Sequence, residues 1–493
     1  MTDDIIDSRG RFWSAEIAVP DGHFAPEESV TGRLRVRANG RAELDLDATI
    51  DLSGSKDAVH RILSYGEVEG AICGFLIDAN KHVRLTGLSG NGGSLGGIGP
   101  IYERLVANRC LVSRERFKPG REPRFRWLDL PLNGYEEWIG RGSIDVAKGR
   151  RRVSAHYAVQ ATPMRWQAAA MPLELHQGLQ GDGGKALTEL AWRETAFLRL
   201  GFPKADLTVE QAIDLSQRIE DLIVLMADHN QRLEFGLLRH SKKGNPVQFY
   251  FTRSGRDTLE KLQWHKAWAR FDQCSDQFGD VVSSWLAKYE TYGPGFHLYL
   301  GNRRGQAMYY EHRFASLMWG LESLHRAMVP AESNAAQAAK VARILDQISL
   351  KKDRNWAERF LPEQSEPSLA NRLVDLFSRL DLGIDRQELA TFAQRCARRR
   401  NDVSHFGGQR QAGDYDAFLE DIANLSGAVD LLYHALILHI TGVPDWLVKR
   451  RFIGGPHSYA ACAVLAHCGL LVPEPNSDQL NGNPNKPPSG VPQ

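Results

Sequence analysis

The chain has few cysteines, and none of them stands at the spacing of a metal or redox site. Its six cysteines are scattered over 493 residues, at Cys73, Cys110, Cys274, Cys396, Cys462 and Cys468. Because no CxxC pair occurs, the sequence gives no support to zinc-ribbon or thioredoxin chemistry. Reduced thiols in a cytosolic protein are the simplest account of this pattern.

Long apolar runs and an excess of charge of one sign are also absent. No stretch approaches the roughly 18–20 apolar residues of a membrane span, and the acidic start Met1-Thr2-Asp3-Asp4 is not typical of a signal peptide. The 61 basic and 60 acidic residues nearly cancel, leaving a formal charge of +1. We therefore expect a cytoplasmic protein with no membrane partner, whose affinity for nucleic acid would need a local basic cleft.

The length of the chain predicts two or three domains rather than one core. Strand-like patterns fill residues 1–180, mixed patterns fill 181–305, helix-like patterns fill 306–450, and 451–493 hold a short helix before a tail. The predicted fold class is therefore α+β, a β-rich N-terminal region followed by an all-α bundle. Beyond residue 473 the Pro-, Asn-, Gly- and Ser-rich sequence predicts disorder.

Alternating polar and apolar residues predict strands in the N-terminal region. Arg33–Arg37 and Glu43–Asp47 both alternate as half-buried strands do, and Asn39-Gly40 between them is a hairpin turn signal. Leu105–Val112 and Phe125–Leu132 are predicted to be further strands.

A glycine-rich run at Gly90–Gly99, GNGGSLGGIG, has the composition of a phosphate-binding loop. It lacks both the Gly-Lys-Ser/Thr ending and the GxGxxG order before a helix that nucleotide sites use. We predict a flexible connector between strands there, and no nucleotide or other cofactor site.

The middle of the chain mixes helix and strand patterns. Thr208 and Gln211 have the spacing of a capping box at the start of a predicted helix, Leu207–Met226, and Val247–Thr252 alternates like a strand. The region around them is rich in aromatic residues: Trp264, Trp268, Trp285, Tyr289, Tyr292, Tyr299, Tyr309 and Tyr310. They would either stack on RNA bases or form a buried core, and we favour the core.

Four segments in the C-terminal half carry apolar residues at helical spacing. They are Tyr310–Met328, Asn371–Leu380, Asp385–His405 and Phe418–Leu436. The last has steps of four and three sustained over the whole segment, which predicts a buried seam. That seam would serve either the bundle of one chain or an interface between two copies, and we favour the bundle.

The third of these helices ends in Arg400-Asn401-Asp402-Val403-Ser404-His405. Arginine is permanently charged and binds phosphate with two parallel hydrogen bonds, while histidine exchanges protons near neutral pH. Arg400 and His405 could therefore break an RNA phosphodiester without a metal: the cation stabilises the phosphoryl oxygens and the imidazole moves the proton. Asn401, four residues before His405, could hold the imidazole or the phosphate.

Other residues near this motif have both functional and structural interpretations. Arg395, Arg398 and Arg399 are candidates for RNA binding, although basic residues in a last helical turn also complement the helix dipole. Glu322 is a candidate support for Arg400 or His405, or it forms a solvated pair with His325. We interpret Asp402 as a surface carboxylate. His297, His312, His434 and His439 show no metal-ligand spacing, so no metal is predicted.

The Arg-polar-x-x-x-His motif at the end of one helix of a predicted bundle resembles the signature of the HEPN superfamily (higher eukaryote and prokaryote nucleotide-binding). Four N-terminal segments resemble the opening of ApeA-type proteins, namely Gly10–Trp13, Val30–Leu34, Ala42–Leu46 and Tyr135–Trp138. Proteins of that type join a β-rich region to a C-terminal HEPN domain and act in bacterial defence against phage. The resemblance spans most of residues 9–450.

This resemblance implies a metal-independent endoribonuclease that leaves a 2′,3′-cyclic phosphate and a 5′-hydroxyl. It further implies an RNA substrate such as host tRNA, a homodimer or higher oligomer in which two motifs face one cleft, and an N-terminal region that senses a phage-derived activator or restrains the nuclease. The alternative is a non-catalytic HEPN module that binds a nucleotide or acts as a scaffold, with the β-rich region as its recognition surface.

Overall fold

The protein folds into two compact units. One comprises Met1–Asp221 and Gln231–Leu262, and the other comprises Leu222–Asn230 and Gln263–Gln493. The computed structural model describes residues 4–52, 58–64, 66–96, 99–140, 142, 144–150, 152–158, 163–181, 191–253, 261–305, 308–329, 335–361, 367–406 and 414–473. The predicted disorder after residue 473 lies outside these described residues.

Strands dominate the first unit. In the described residues they are β1 (Ile6–Ser14), β2 (Val30–Val36), β3 (Ala42–Leu46), β4 (Glu67–Val68), β5 (Ile72–Leu76), β6 (Lys81–Leu95), β7 (Ile101–Ser113), β8 (Trp127–Pro131), β9 (Ile144–Lys148), β10 (Val153–Tyr157), β11 (Met164–Ala168), β12 (Met171–Gly181), β13 (Trp192–Gly201), β14 (Leu237–Arg239) and β15 (Val247–Phe251).

Six of these strands close into a barrel. The ring runs β1-β2-β3-β7-β6-β5 and returns to β1, with every neighbouring pair antiparallel. β7 is longer than its barrel neighbour β3, so residues 103–107 of β7 pair with β3 and residues 109–112 pair with β15. From β15 the sheet continues through β14, β8, β13 and β12 to β11. Alternate side chains such as Phe12, Leu34, Leu44, Leu85 and Leu105 fill the barrel core. This pattern is why strand-period sequence appears throughout the N-terminal region.

The predicted hairpin between β2 and β3 is confirmed. Arg37 and Arg41 close the turn through a backbone hydrogen bond of 2.9 Å, and Gly40 has a φ of +82°. A Cβ at Gly40 would lie only 2.1 Å from the carbonyl oxygen of Phe251, so both the backbone angle and the close approach of a neighbouring strand require glycine.

The prediction of a flexible connector at Gly90–Gly99 is wrong for its first six residues. β6 extends to Leu95 and pairs with β7 through this run, with a register shift between Gly90 and Gly93. Close packing explains the glycines, because a Cβ at Gly93 would lie 2.5 Å from the carbonyl oxygen of Tyr102. Glycine has no side chain to alternate between faces, so a strand built from it leaves no period-two pattern.

Helices form most of the described part of the second unit. Over the whole described chain they are α1 (Ala58–Ser64), α2 (Glu136–Ile139), α3 (Val209–Ala227), α4 (Phe271–Cys274), α5 (Phe278–Arg304), α6 (Tyr310–Met328), α7 (Ala335–Asp346), α8 (Lys351–Phe360), α9 (Leu369–Ser378), α10 (Arg386–Phe406), α11 (Tyr415–Ile440), α12 (Asp445–Arg450) and α13 (Ser458–Ala466), with short 3-10 turns at Trp264–Lys266 and Ser275–Gln277. The fold class is therefore α+β, as predicted.

The capping box at the start of α3 is confirmed. The Thr208 backbone N–H donates to the Gln211 side chain at 2.9 Å, and the Gln211 N–H donates to the Thr208 hydroxyl at 3.1 Å. These two reciprocal bonds satisfy amides that the first turn of a helix leaves without partners.

The four predicted C-terminal helices are confirmed as α6, α9, α10 and α11. All six apolar residues of the predicted α11 seam are buried: Phe418, Ile422, Leu425, Val429, Leu432 and Leu436. The seam therefore belongs to the bundle of one chain, as we favoured. Glycine permits close helix contacts, since a Cβ at Gly295 in α5 would lie 2.8 Å from Leu324 in α6.

α11 is the one described helix long and apolar enough to cross a membrane, but 67% of its most apolar window is buried inside the protein. Such burial is typical of the core helix of a bundle. The aromatic residues of the middle region are in part buried and in part exposed. Trp268, Trp285 and Tyr299 are buried as core residues, whereas Trp264 and Tyr309 are exposed.

Candidate active site

Helix α10 positions the Arg400 motif. Asp385 caps its start by accepting hydrogen bonds from the backbone N–H groups of Gln387 at 2.8 Å and Glu388 at 3.1 Å. Phe392 and Cys396 are buried on its inner face, and burial raises the pKa of the Cys396 thiol well above its usual range. The packed part of α10 thus fixes the direction of the polar last turns, where the motif lies.

The Arg400 guanidinium is held by two neighbours and keeps hydrogen-bond donors free. Nη2 donates to Glu322 Oε2 at 3.0 Å, and Nη1 donates to Asn401 Oδ1 at 3.2 Å. Nε is buried and has no hydrogen-bond partner among the described residues. A guanidinium has five N–H groups, so an oriented, partly desolvated cation remains able to bind an anionic oxygen.

Glu322, on α6, contacts a second arginine as well. Its Oε1 atom lies 3.1 Å from Nη2 of Arg326, one turn further along the same helix. One carboxylate thus contacts two guanidinium groups, those of Arg400 and Arg326. Glu322 therefore fixes the positions of both cations, one on its own helix and one on α10.

Three of the predicted site residues, Arg400, Asn401 and Glu322, therefore meet in this structure. His405 is part of α10, whose helical backbone continues to Phe406. The side chain of His405 lies outside what the structure describes, so its proposed proton transfer stays a prediction from chemistry.

The other basic residues of α10 differ in how they are held. Asp421 on α11 pairs with Arg395 and, at 2.5 Å, with Arg399 Nε. The Arg399 guanidinium also lies 5.1 Å from the centre of the Phe418 ring. Arg398 is exposed and has no hydrogen bond or ion pair to any other described residue. Of the three candidate RNA contacts, Arg398 is therefore the one whose charge is not already matched.

The interpretation of Asp402 as a surface carboxylate is wrong. Asp402 is only 5% exposed, and its Oδ2 lies 3.5 Å from Nη1 of Arg399. Burial of a charged group requires a partner, and the cation three residues earlier on the same helix provides one.

Sequence reasoning missed Asp421, which joins α10 to α11. Its signal was present, because Asp421 lies three residues after Phe418 and four before Leu425, on the apolar face of α11. A carboxylate at a core position of a helix indicates a buried charged partner.

His325 lies one turn from Glu322 on α6 and is buried, at 3% exposure, so a solvated Glu322–His325 pair is wrong. Its Nδ1 accepts a hydrogen bond from Arg372 at 3.2 Å, and its Nε2 lies 3.3 Å from Asp375. Burial, and then the nearby Arg372 charge, lower the pKa of His325. The ring is therefore neutral near pH 7, with Nε2–H directed to the carboxylate.

Comparison with known proteins agrees with this architecture. Residues 7–285 match the ApeA N-terminal domain 1 family, and residues 316–445 match Apea-like HEPN. No curated protein and no solved structure matches the chain. The first match covers more than half of the sequence, so the chain belongs to the ApeA N-terminal domain 1 family, with a C-terminal HEPN domain as in antiphage proteins of this type. The second match includes Glu322, Arg400 and His405.

Proposed function

We propose that the protein is a metal-independent endoribonuclease that acts in the cytoplasm against phage infection. The observation that carries the proposal is the Arg400 guanidinium, whose Nη2 donates to Glu322 and whose Nη1 donates to Asn401, so that each of these nitrogens keeps a second N–H. An oriented cation with free donors is suited to the phosphoryl oxygens of a transition state. Membership of an HEPN-containing family, many of whose members are ribonucleases, supports this reading.

In the proposed reaction the RNA supplies its own nucleophile. The 2′-hydroxyl loses its proton to a base and attacks the adjacent phosphorus, and the 5′-oxygen leaves with a proton. His405 acts as the base or the acid in these transfers, and Arg400 stabilises the charge on the phosphoryl oxygens. The products are a 2′,3′-cyclic phosphate and a 5′-hydroxyl.

A single motif supplies few catalytic groups, so we propose that two copies of the chain pair their HEPN domains around one cleft. Such an isologous arrangement presents the same patch from each copy. We further propose that the substrate is a host RNA such as tRNA, whose cleavage stops translation, and that the N-terminal region responds to a phage-derived activator.

The purified full-length protein tests the mechanism with matched RNA substrates. With a lysate of phage-infected cells that lack the protein added as the source of activator, wild type should cleave RNA equally in buffer with EDTA or Mg²⁺, while His405→Ala and Arg400→Ala should not add to the cleavage by the lysate alone. An RNA carrying 2′-deoxyribose at the cut site should remain intact, since it lacks the nucleophile. Cleavage of that deoxy substrate, or activity that EDTA removes and Mn²⁺ restores, would contradict the proposal.

A further inference from the structure

A cavity of about 340 Å³ lies in the helical unit, between the turn Trp264–Lys266 and the chain around α12. Its wall combines aromatic and basic side chains: Trp264, Trp268, His265, His457, Arg450 and Arg451. None of its lining residues is acidic, although the chain as a whole has nearly balanced charge. It shares no residue with the Arg400 cluster.

Trp264 offers this cavity an aromatic surface that is not fully covered. The indole is 48% exposed, and the Arg270 guanidinium lies 5.1 Å from its ring centre. Trp268, by contrast, is buried, stacks on His434 at 4.6 Å and lies 5.1 Å from the Arg451 guanidinium. Trp268 therefore forms part of the cavity wall, and Trp264 offers the exposed ring on which a planar ligand can stack.

Of the three arginines that line the cavity, two form ion pairs with aspartates and one does not. Arg270 pairs with Asp272 through Nε at 3.0 Å, and Arg451 pairs with Asp228 at 3.2 Å. Arg450 is exposed on α12 and has no ion pair or hydrogen bond to any other residue that the structure describes. A guanidinium binds phosphate with two parallel hydrogen bonds, so Arg450 can hold a phosphate next to a base stacked on Trp264.

The wall itself is held in place. His457 Nε2 lies 2.8 Å from the His265 carbonyl oxygen, the two imidazole rings stack at 5.7 Å, and Arg451 donates to the Lys266 carbonyl at 3.2 Å. These bonds fasten the Trp264–Lys266 turn to the chain after α12. A cavity whose walls are already positioned loses little entropy when a ligand binds.

We propose that this cavity binds a nucleoside phosphate, with the base stacked on Trp264 and the phosphate held by Arg450. Its volume is near the lower end of the roughly 300–1,000 Å³ typical of small-molecule sites, which suits one nucleotide rather than a dinucleotide. The ligand is either a free nucleotide or the end of a single-stranded RNA, because both present a base beside a phosphate.

Calorimetry on the full-length protein separates these outcomes. The probes are AMP, GMP, CMP, UMP, adenosine and a five-nucleotide single-stranded RNA, and the RNA is titrated into His405→Ala protein so that it is not cut. Trp264→Ala should weaken binding about tenfold or more, in line with the loss of a stacked base. The matched control is Trp356→Ala, which removes another exposed tryptophan of the helical unit.

Arg450 is tested through the phosphate. Wild type should prefer AMP over adenosine, and Arg450→Ala should abolish that preference while Arg343→Ala, an exposed arginine on α7, keeps it. If mononucleotides do not bind, and the RNA binds His405→Ala protein but not the double variant His405→Ala/Trp264→Ala, the ligand of the cavity is an RNA end. The proposal is overturned if no probe binds wild type at millimolar concentration, or if Trp264→Ala binds as tightly as wild type. Because binding is measured without cleavage, an absent ribonuclease activity leaves this result interpretable.

Discussion

Glu322 is the residue through which the Arg400 site is most easily tested without removing a catalytic group. Replacing it by glutamine keeps the shape but removes the charge that orients Arg400 and Arg326. We expect Glu322→Gln to lower kcat for RNA cleavage roughly tenfold, the scale of one lost charge-assisted hydrogen bond, with KM changed much less.

The matched control is Glu311→Gln, the same change on the same helix. Glu311 accepts a hydrogen bond from Tyr415 at 2.7 Å, which a glutamine oxygen can also accept. Equal kcat values for Glu322→Gln and Glu311→Gln in steady-state assays would show that Glu322 does not position Arg400.

His434 predicts an acid dependence of stability. It is buried on α11, its Nε2–H donates to the Leu225 carbonyl at 2.9 Å, and burial together with the nearby Arg303 charge lowers its pKa from 6.5 to about 3. The unfolded chain therefore binds a proton more readily, so stability is complete above about pH 6.5 and falls as the pH drops towards 3.

Urea unfolding of wild type and His434→Gln between pH 7 and pH 4 measures this dependence. The wild-type free energy of unfolding should fall by up to about 1.4 kcal/mol more per pH unit than that of the variant. Asn424→Gln, a change of the same helix that neither removes nor adds a titratable group, should keep the wild-type slope. Parallel slopes for wild type and His434→Gln would mean that His434 does not titrate as its burial requires.

Residue environments were the part that the sequence predicted least well. Asp402 is buried although the three residues before it are polar, and its cation, Arg399, lies one turn earlier on the same helix. Asp421 pairs with arginines more than twenty residues away along the chain, a distance over which periodicity carries no information. The Arg400–Glu322 contact was proposed only as one alternative, since two helices far apart in sequence had to pack before it could form.

At the scale of elements, Asp421 joins α10 to α11. Asp421→Asn would leave Arg395 and Arg399 facing an uncharged amide, but both arginines keep access to water, at 41% and 27% side-chain exposure. We therefore expect a loss of about 1–2 kcal/mol of stability, below the range for a fully buried pair. The neighbouring exposed Glu420→Gln should change stability by less than about 0.5 kcal/mol in the same urea titration. Equal stability of both variants would show that the Asp421 ion pairs do not stabilise the contact between α10 and α11.

Elements with a clear side-chain period were predicted well. Local sequence alone predicted the bounds of α6, the β2–β3 hairpin and the capping box of α3. Each of these features depends on residues that are only a few positions apart in the chain. The glycine-built end of β6 could not be predicted in this way. Its pairing with β7 is enforced by close packing across strands, and glycine leaves no side-chain pattern to read.

At the scale of the whole molecule, the helical unit is not one continuous stretch of sequence. It includes Leu222–Asn230, which supplies the Leu225 carbonyl to His434 and the Asp228 carboxylate to Arg303 and Arg451. A fragment of residues 263–493 would lose both partners and leave two arginines without that carboxylate. We expect this fragment to aggregate or to melt several degrees below full-length protein.

The control is a fragment of residues 207–493, which restores all of α3 and the segment after it. It should show a cooperative helical melt by circular dichroism that the shorter fragment lacks. Equal melting temperatures for the two fragments would show that Leu222–Asn230 adds nothing to the helical unit. The same comparison decides which fragment suits a test of whether the N-terminal region restrains the proposed nuclease.

The central claim is that Arg400 and His405 cut RNA through its 2′-hydroxyl during phage infection. The most direct measurement is sequencing of cellular RNA ends in infected cells that express wild type, His405→Ala, Arg400→Lys or the α10 control Arg386→Ala. Wild type and Arg386→Ala should show new paired 2′,3′-cyclic-phosphate and 5′-hydroxyl ends. His405→Ala should not, because it lacks the imidazole that moves the proton. Arg400→Lys should not either, because an ammonium lacks the bidentate fork of arginine. The same ends in cells with His405→Ala, or new ends carrying 5′-phosphate in wild type, would contradict the claim.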